Sequence, residues 1–379
     1  MDLVDLIVRS SRLNVPLFAY QLLATAVLGN SVDLKELAQG DYEGALPREP
    51  IPNFVNQVNE VIDVNTWSWD ETTGFIKTWR GYFTDQVKSA MQKACRRGWI
   101  DQTGPEAARW ALEMFWTAKS CRSNMWNRLL TISVEDVGWA DPLVAFHVYQ
   151  LSTLYRNDAR AVVLACLMLT KASKTRLNDW AAHCYLTLVG ETKAKEIFDQ
   201  LGYTGLKQLF QTALVQRDLM TSILYCYLLC HTGDKTLTEG HKIIRNVLSQ
   251  FLQGNAYAHT LLAWSASSNW KSAHGAVLIY LHLIFGAISD RLMTMNPVII
   301  PNYTEYWPYM EPIVQHVFTS PPIGIPFCAV DKHTSLGKSR SKTVVDFIVE
   351  GGKLCLVDPR YEPLSNYLLW NSGLCHTNG

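Results

Sequence analysis

Charge is scarce in this chain. Asp, Glu, Lys and Arg make up 18% of its 379 residues, where soluble domains average about 25%. The charge present cancels, thirty-four basic residues against thirty-four acidic ones, with a pI near 7.1. That excludes a global field for polyanions, and it removes the self-repulsion that keeps proteins dispersed, so self-association is expected. Long apolar runs are lacking too. The best membrane candidate, residues 273–289, is shorter than the roughly 20 apolar residues a span needs and carries His274 and His282; it reads as a core helix, and no membrane partner is expected. The opening MDLVDLIVRSS has no basic n-region or small-residue cleavage site, which predicts a chain that stays in the nucleus or cytoplasm and is not secreted. A secreted disulfide framework is missing as well, since the nine cysteines are odd in number and scattered. Most read as small buried apolar residues. Cys328, Cys355 and Cys375, in the less regular tail, are the expected intermolecular bridges.

What the chain has in abundance is apolar surface, with 48% hydrophobic residues and thirteen tryptophans. Its length suggests two or three units at roughly 100–200 residues each. The best-defined stretch is 125–142, MWNRLLTISVEDVGWADP. Trp126, Leu129, Leu130, Ile132, Val134 and Val137 recur at helical spacing and predict one buried face. Gly138 suits a helix end, and Asp141 with Pro142 suits the start of the next helix.

In chain order, 1–52 reads as an N-terminal arm of two helical stretches plus a linker carrying Gly44, Pro47, Pro50 and Pro52. Residues 53–292 read as a helical core, an antiparallel array with almost no strand signal. Helices are expected at 78–97, from 104, through the central stretch, and at 143–155, 158–172, 177–189, 192–201, 205–229, 237–252, 256–264 and 270–292. Residues 293–379 hold nine of the fifteen prolines and read as an extended tail lying along a surface, with one short helix at 343–350. The fold class is therefore all-α, with a helical arm and an extended Pro-rich tail.

No catalytic group, cofactor site or metal site is assigned. Glu135 and Asp136 are adjacent, point about 100° apart on a helix and cannot form a facing acid/base pair; an ion pair with Arg128 or a place at the helix end is expected. Cys226, Cys230 and His231 lie in an apolar helix without a second ligand pair and read as buried thiols. The sequence GKS at 337–339 has Lys332 where a phosphate loop needs its first glycine. Lys332, His333, Lys338, Arg340 and Lys342 form a local basic patch, read either as a nucleic-acid or phosphate contact or as a solvated loop. Trp67, Trp69, Tyr306, Trp307 and Tyr309 are the expected assembly contacts.

Several ordered motifs carry a family likeness. KACRRG at 93–98, AARWALE at 107–113, MWNRLL at 125–130 and EDVG at 135–138 with ADP at 140–142 resemble the helical C-terminal region of the RarA/MgsA replication-associated ATPases, and more closely its stand-alone viral versions. AVDKHT at 329–334 with Gly337 and Lys338, then FIVEG at 347–351, is similar to a second block of the stand-alone versions. The likeness covers about 87–352; Trp139 stands where a smaller residue is expected, and no ATPase domain is present. The resemblance implies an oligomerising helical domain without nucleotide hydrolysis, and an ancestral nucleic-acid role for the 332–342 patch. The overall character, a neutral aromatic-rich chain with added arms, resembles the nudivirus polyhedrins. That implies a non-enzymatic matrix protein of an occlusion body in the host nucleus or cytoplasm, partnered by itself and by virions. The alternative is an oligomeric DNA replication- or recombination-associated binding module.

Overall fold

The computed structural model describes residues 76–101, 104–138, 140–231, 239–251 and 302–342, together with 261, 262, 264, 265, 277 and 281. The described residues are overwhelmingly helical. The N-terminal arm, Trp67, Trp69, Cys355, Cys375 and the short helix expected at 343–350 lie outside them, as does most of the stretch expected to form the last two core helices.

Helix α1 (Thr84–Arg97) carries Asp85 in its first turn and Arg96 and Arg97 in its last, matching the helix dipole. It starts six residues later than periodicity suggests. Residues 77–83 form instead a tight turn closed by a bridge between Lys77 and Phe83, with the Thr78 hydroxyl accepting from Tyr82 N. A two-residue hairpin, β1 (Ile100–Asp101) against β2 (Gly104–Pro105), leads into α2 (Glu106–Phe115). Helices α1 and α2 pack against each other, and Ala90, Ala94, Ala107, Ala108 and Ala111 on them are fully buried.

Helix α3 (Lys119–Ile132) runs on into a wider π-helical turn, Ser133–Val137. Gly138 ends it at φ +49°, where a Cβ would sit 2.9 Å from Val134 O. Asp141 occupies the N-cap position of α4 (Pro142–Leu154) without a side-chain cap bond, and Pro142 opens the helix. Asp158 caps α5 (Ala159–Lys171) by accepting from Arg160 N.

Beyond this the chain departs from expectation twice. The predicted breaks near 190 and 202 are spanned by one element, α6 (Leu177–Val215), with Gly202 at φ +59° inside it. Glycine absorbs the irregularity without a Cβ penalty, so it does not end the helix. The real break comes at 216–218. There Arg217 turns to φ +57°, and the Asp218 carboxylate accepts from Thr221 N at the start of α7 (Leu219–His231). Helix α8 (Glu239–Leu248) packs on α6 and α7.

The second departure is in the tail. The run expected to be extended is instead a 3-10 turn, Tyr303–Tyr306, followed by α9 (Trp307–Thr319). Pro308 falls in the first turn, where the missing N–H costs nothing. Pro312 is inside the helix, tolerated because Met310, Ile313, Val314 and Val317 are buried against α5 and α2. Residues 321–326 form no regular element. A 3-10 turn at Phe327–Ala329 and the one-turn α10 (Ser335–Ser339) then bring the chain back onto α1.

Candidate functional site

The most concentrated chemistry lies inside the molecule. Ser89, Gln92, Lys93 and Arg96 follow one another at helical spacing on α1 and make a polar stripe that is nonetheless buried. Two chain segments cover it. From one side the π-helical turn pushes in Asp136, which has no exposure. Its carboxylate accepts from Arg96 Nε at 2.8 Å and Gln92 Nε2 at 3.0 Å, and lies 3.4 Å from Arg176 Nε. Its backbone carbonyl accepts from Thr175 N, and Asn178 Nδ2 donates to Val134 O, so the start of α6 holds the turn in place. Gln92 in turn accepts from Arg128 Nη1 at 3.1 Å.

From the other side comes Asp331. It pairs with Lys93 Nζ, accepts from the Ser89 hydroxyl at 3.0 Å and takes the His333 backbone N–H at 2.8 Å. This joins residues 238 apart in sequence. Just beyond, Gly337 lies so close to Asp331 that a Cβ would stand 1.8 Å from its carbonyl oxygen. The Thr334 hydroxyl accepts from Gly337 N, and the Asp85 carboxylate from Ser335 N. The GKS sequence is thus a packing turn whose glycine serves close approach.

Burial alone would raise the pKa of Asp136, but Arg96, Arg176 and the Gln92 bond hold it below the usual carboxylate value. Asp331 is likewise pushed up by burial and held down by Lys93. Burial, then Arg96, pull Lys93 down to about 8, against Asp331 and Asp136. A similar tie lies nearby: Arg80 pairs with buried Glu113 and donates to Val317 O at 2.7 Å and Phe318 O at 2.8 Å, fixing the end of α9. With Lys93, Arg96, Asp136 and Asp331 each no more than 4% exposed, the network can tie segments together; a substrate cannot reach it.

The structure places several of the residues singled out in the sequence. Asp136, expected either in an ion pair with Arg128 or at the helix end, lies in the π-helical turn after α3 and pairs with Arg96 and Arg176, while Arg128 bonds Gln92. Trp307, expected at an assembly contact, is buried against its own chain, edge-on to Tyr155 at 5.3 Å and under Arg160; Tyr306 and Tyr309 are half-buried. Cys328, expected to bridge molecules, is a free thiol buried in the 3-10 turn against α1, and burial raises its pKa, which disfavours the thiolate. Cys226 is buried and Cys230 half-buried, and burial pushes both thiols up. His333, Lys338 and Arg340 are exposed, Lys332 and Lys342 half-buried, and Lys342 Nζ lies 4.3 Å from the ring centroid of Phe327.

Periodicity missed the network because a polar stripe on an apolar helix ordinarily faces water. One available signal was that the motifs KACRR, EDVG and AVDKHT supply complementary charges. Neither a family model, nor a curated protein, nor a solved structure matches the chain.

Proposed function

We propose that the chain is a non-enzymatic structural protein that assembles with copies of itself into a dense viral protein crystal, the matrix of an occlusion body. In this reading an antiparallel helical block presents hydrophobic contacts. The arm before residue 53 and the tail after residue 342 exchange with neighbours, and Cys355 and Cys375 are available for disulfides. One observation carries it. Lys93, Arg96, Glu113, Asp136 and Asp331 of the sequence motifs are used in buried internal ties, while large apolar side chains stay outside, among them Val215 at 76%, Phe327 at 61% and Leu154 at 53% exposure. A chain with no net charge lacks the self-repulsion that opposes association, and exposed apolar side chains add to that tendency. The test is thin-section electron microscopy and powder diffraction of insect cells expressing the full chain. Crystalline bodies with sharp reflections are expected; protein dispersed through the cell would contradict the reading.

A second reading, a nucleic-acid-binding module, is favoured by the tail block. Asp331 is the only carboxylate between 319 and 342, and Lys93 neutralises it, so the exposed charge of that segment is basic and stands beside an exposed aromatic ring. This reading expects affinity for single-stranded DNA that falls steeply with salt.

A further inference from the structure

At the outer end of the tail block, hydroxyls stand among cations. Residues 338–342 read Lys-Ser-Arg-Ser-Lys and run from the end of α10 into the turn that follows. Lys338, Ser339, Arg340 and Ser341 are exposed, and Lys342 is half-buried over the Phe327 ring. The two serines differ. The Ser339 hydroxyl donates to Leu336 O at 2.8 Å, so it is engaged by its own helix. The Ser341 hydroxyl makes no hydrogen bond among the described residues. Its backbone sits at φ +54°, one residue past the C-cap Arg340, where a left-handed residue commonly ends a helix.

We propose that Ser341 is an acceptor site for a protein serine kinase of the class that reads basic residues. Lys338 stands three residues before the acceptor, Arg340 one before and Lys342 one after. Carboxylates in the groove of such a kinase pair with basic side chains ahead of the acceptor and repel acidic ones. The co-substrate is magnesium-bound ATP. Ser341 Oγ attacks the γ-phosphorus; the Oγ–P bond forms as the bond to the bridging oxygen of ADP breaks, and the hydroxyl proton passes to the kinase's carboxylate base.

The fold allows this at little cost. A kinase takes its acceptor as extended chain, so the last turn must open. The bonds lost are those from Arg340 N, Ser341 N and Lys342 N back to Leu336, Gly337 and Lys338 carbonyls, all at an exposed end where water replaces them. The anchors lie earlier and stay closed: Asp331 on Lys93, Thr334 on Gly337 N, and Asp85 on Ser335 N. A phosphate of about −1.5 to −2 near neutral pH then cancels at least half the charge of Lys338, Arg340 and Lys342. It weakens a basic patch and gives negative charge to a neutral chain, so it opposes both polyanion binding and self-association. The site itself rests on neither functional reading.

The test is incubation of the full native chain with magnesium-ATP and the catalytic subunit of a cyclic-AMP-dependent kinase. Cleavage before Asp331 and Asp346 releases a 331–345 peptide, whose fragmentation by mass spectrometry places the phosphate. Phosphate on Ser341 is expected. Ser341→Gly, which suits the positive φ, should remove it and leave the thermal melt unchanged. Replacing Lys338 and Arg340 together by alanine should lower kcat/KM for the phosphorylation by about tenfold or more. Phosphate on Ser339 or Thr343 in place of Ser341, a native chain that accepts none, or acceptance only after heat denaturation would overturn the proposal. An unchanged kcat/KM in the double variant would overturn the role given to the cations.

Discussion

At the scale of single residues, Asp136 has the most demanding position. It is fully buried among Arg96, Arg176 and Gln92, and removing one partner of a buried pair leaves the others uncompensated. Asp136→Ala is expected to destabilise the fold by about 3–5 kcal/mol, read as a drop in the denaturant midpoint. A double replacement of Lys93 and Asp331 by apolar residues of similar size should cost far less than either single one. The acid dependence has a definite sign. The folded pKa values of Asp136 and Asp331 lie below the ordinary 3.8, so their stabilisation is complete above that value and is lost as pH falls through the folded values. Asp136→Asn should flatten that acid limb in a thermal-melt series. A limb unchanged in the variant would mean that the pairing contributes nothing.

Elements show where local chemistry is enough and where it is not. The cap at Asp158, the proline opening α4 and the end of α1 at Gly98 are all readable from residues adjacent in sequence. The continuity of α6 and the helical tail are not, because burial of α9 against α5 and α2 outweighs the extended tendency of its prolines, and a periodic pattern carries no record of what packs on it. The pairing of Arg96 with Asp136 and of Lys93 with Asp331 is equally hidden, since those partners are 40 and 238 residues apart. Two close approaches give a test at this scale. A Cβ at Gly240 would stand 1.7 Å from Leu229 O between α7 and α8, and one at Gly337 1.8 Å from Asp331 O. Gly240→Ala and Gly337→Ala must each shift backbone, with an expected loss of about 1–3 kcal/mol or more. Gly337→Ala should loosen the 327–342 block selectively, seen as faster proteolysis there, and an unchanged cleavage pattern would contradict that packing role.

At the scale of the whole chain, the helical character that the described residues show was legible from the sequence period, whereas the absence of net charge spoke to association and not to any particular lattice. The buried thiols and phenols predict a fold that is sensitive to alkali. Burial raises the thiols of Cys121, Cys166, Cys226, Cys230 and Cys328 above 9.0, and that of Cys95 to about 12. Burial also raises the phenols of Tyr82, Tyr149 and Tyr303 above 10.0. A group whose folded pKa is raised keeps its neutral form in the fold, so its stabilisation is complete below the unfolded value and is lost as pH rises above it. Stability should therefore fall from about pH 9 upward, while negative charge accumulates on a chain that is neutral at pH 7. Both effects act against the proposed self-assembly.

The most direct test of self-assembly is the solubility of the full chain from about pH 5 to 11, with and without reductant, a range chosen to span the Cys, Tyr and Lys titrations. The account predicts particles that sediment at neutral pH and dissolve in alkali, more readily with reductant if Cys355 and Cys375 bridge molecules. A clear solution at neutral pH, containing a small oligomer that responds to salt, would contradict it and favour the nucleic-acid-binding reading.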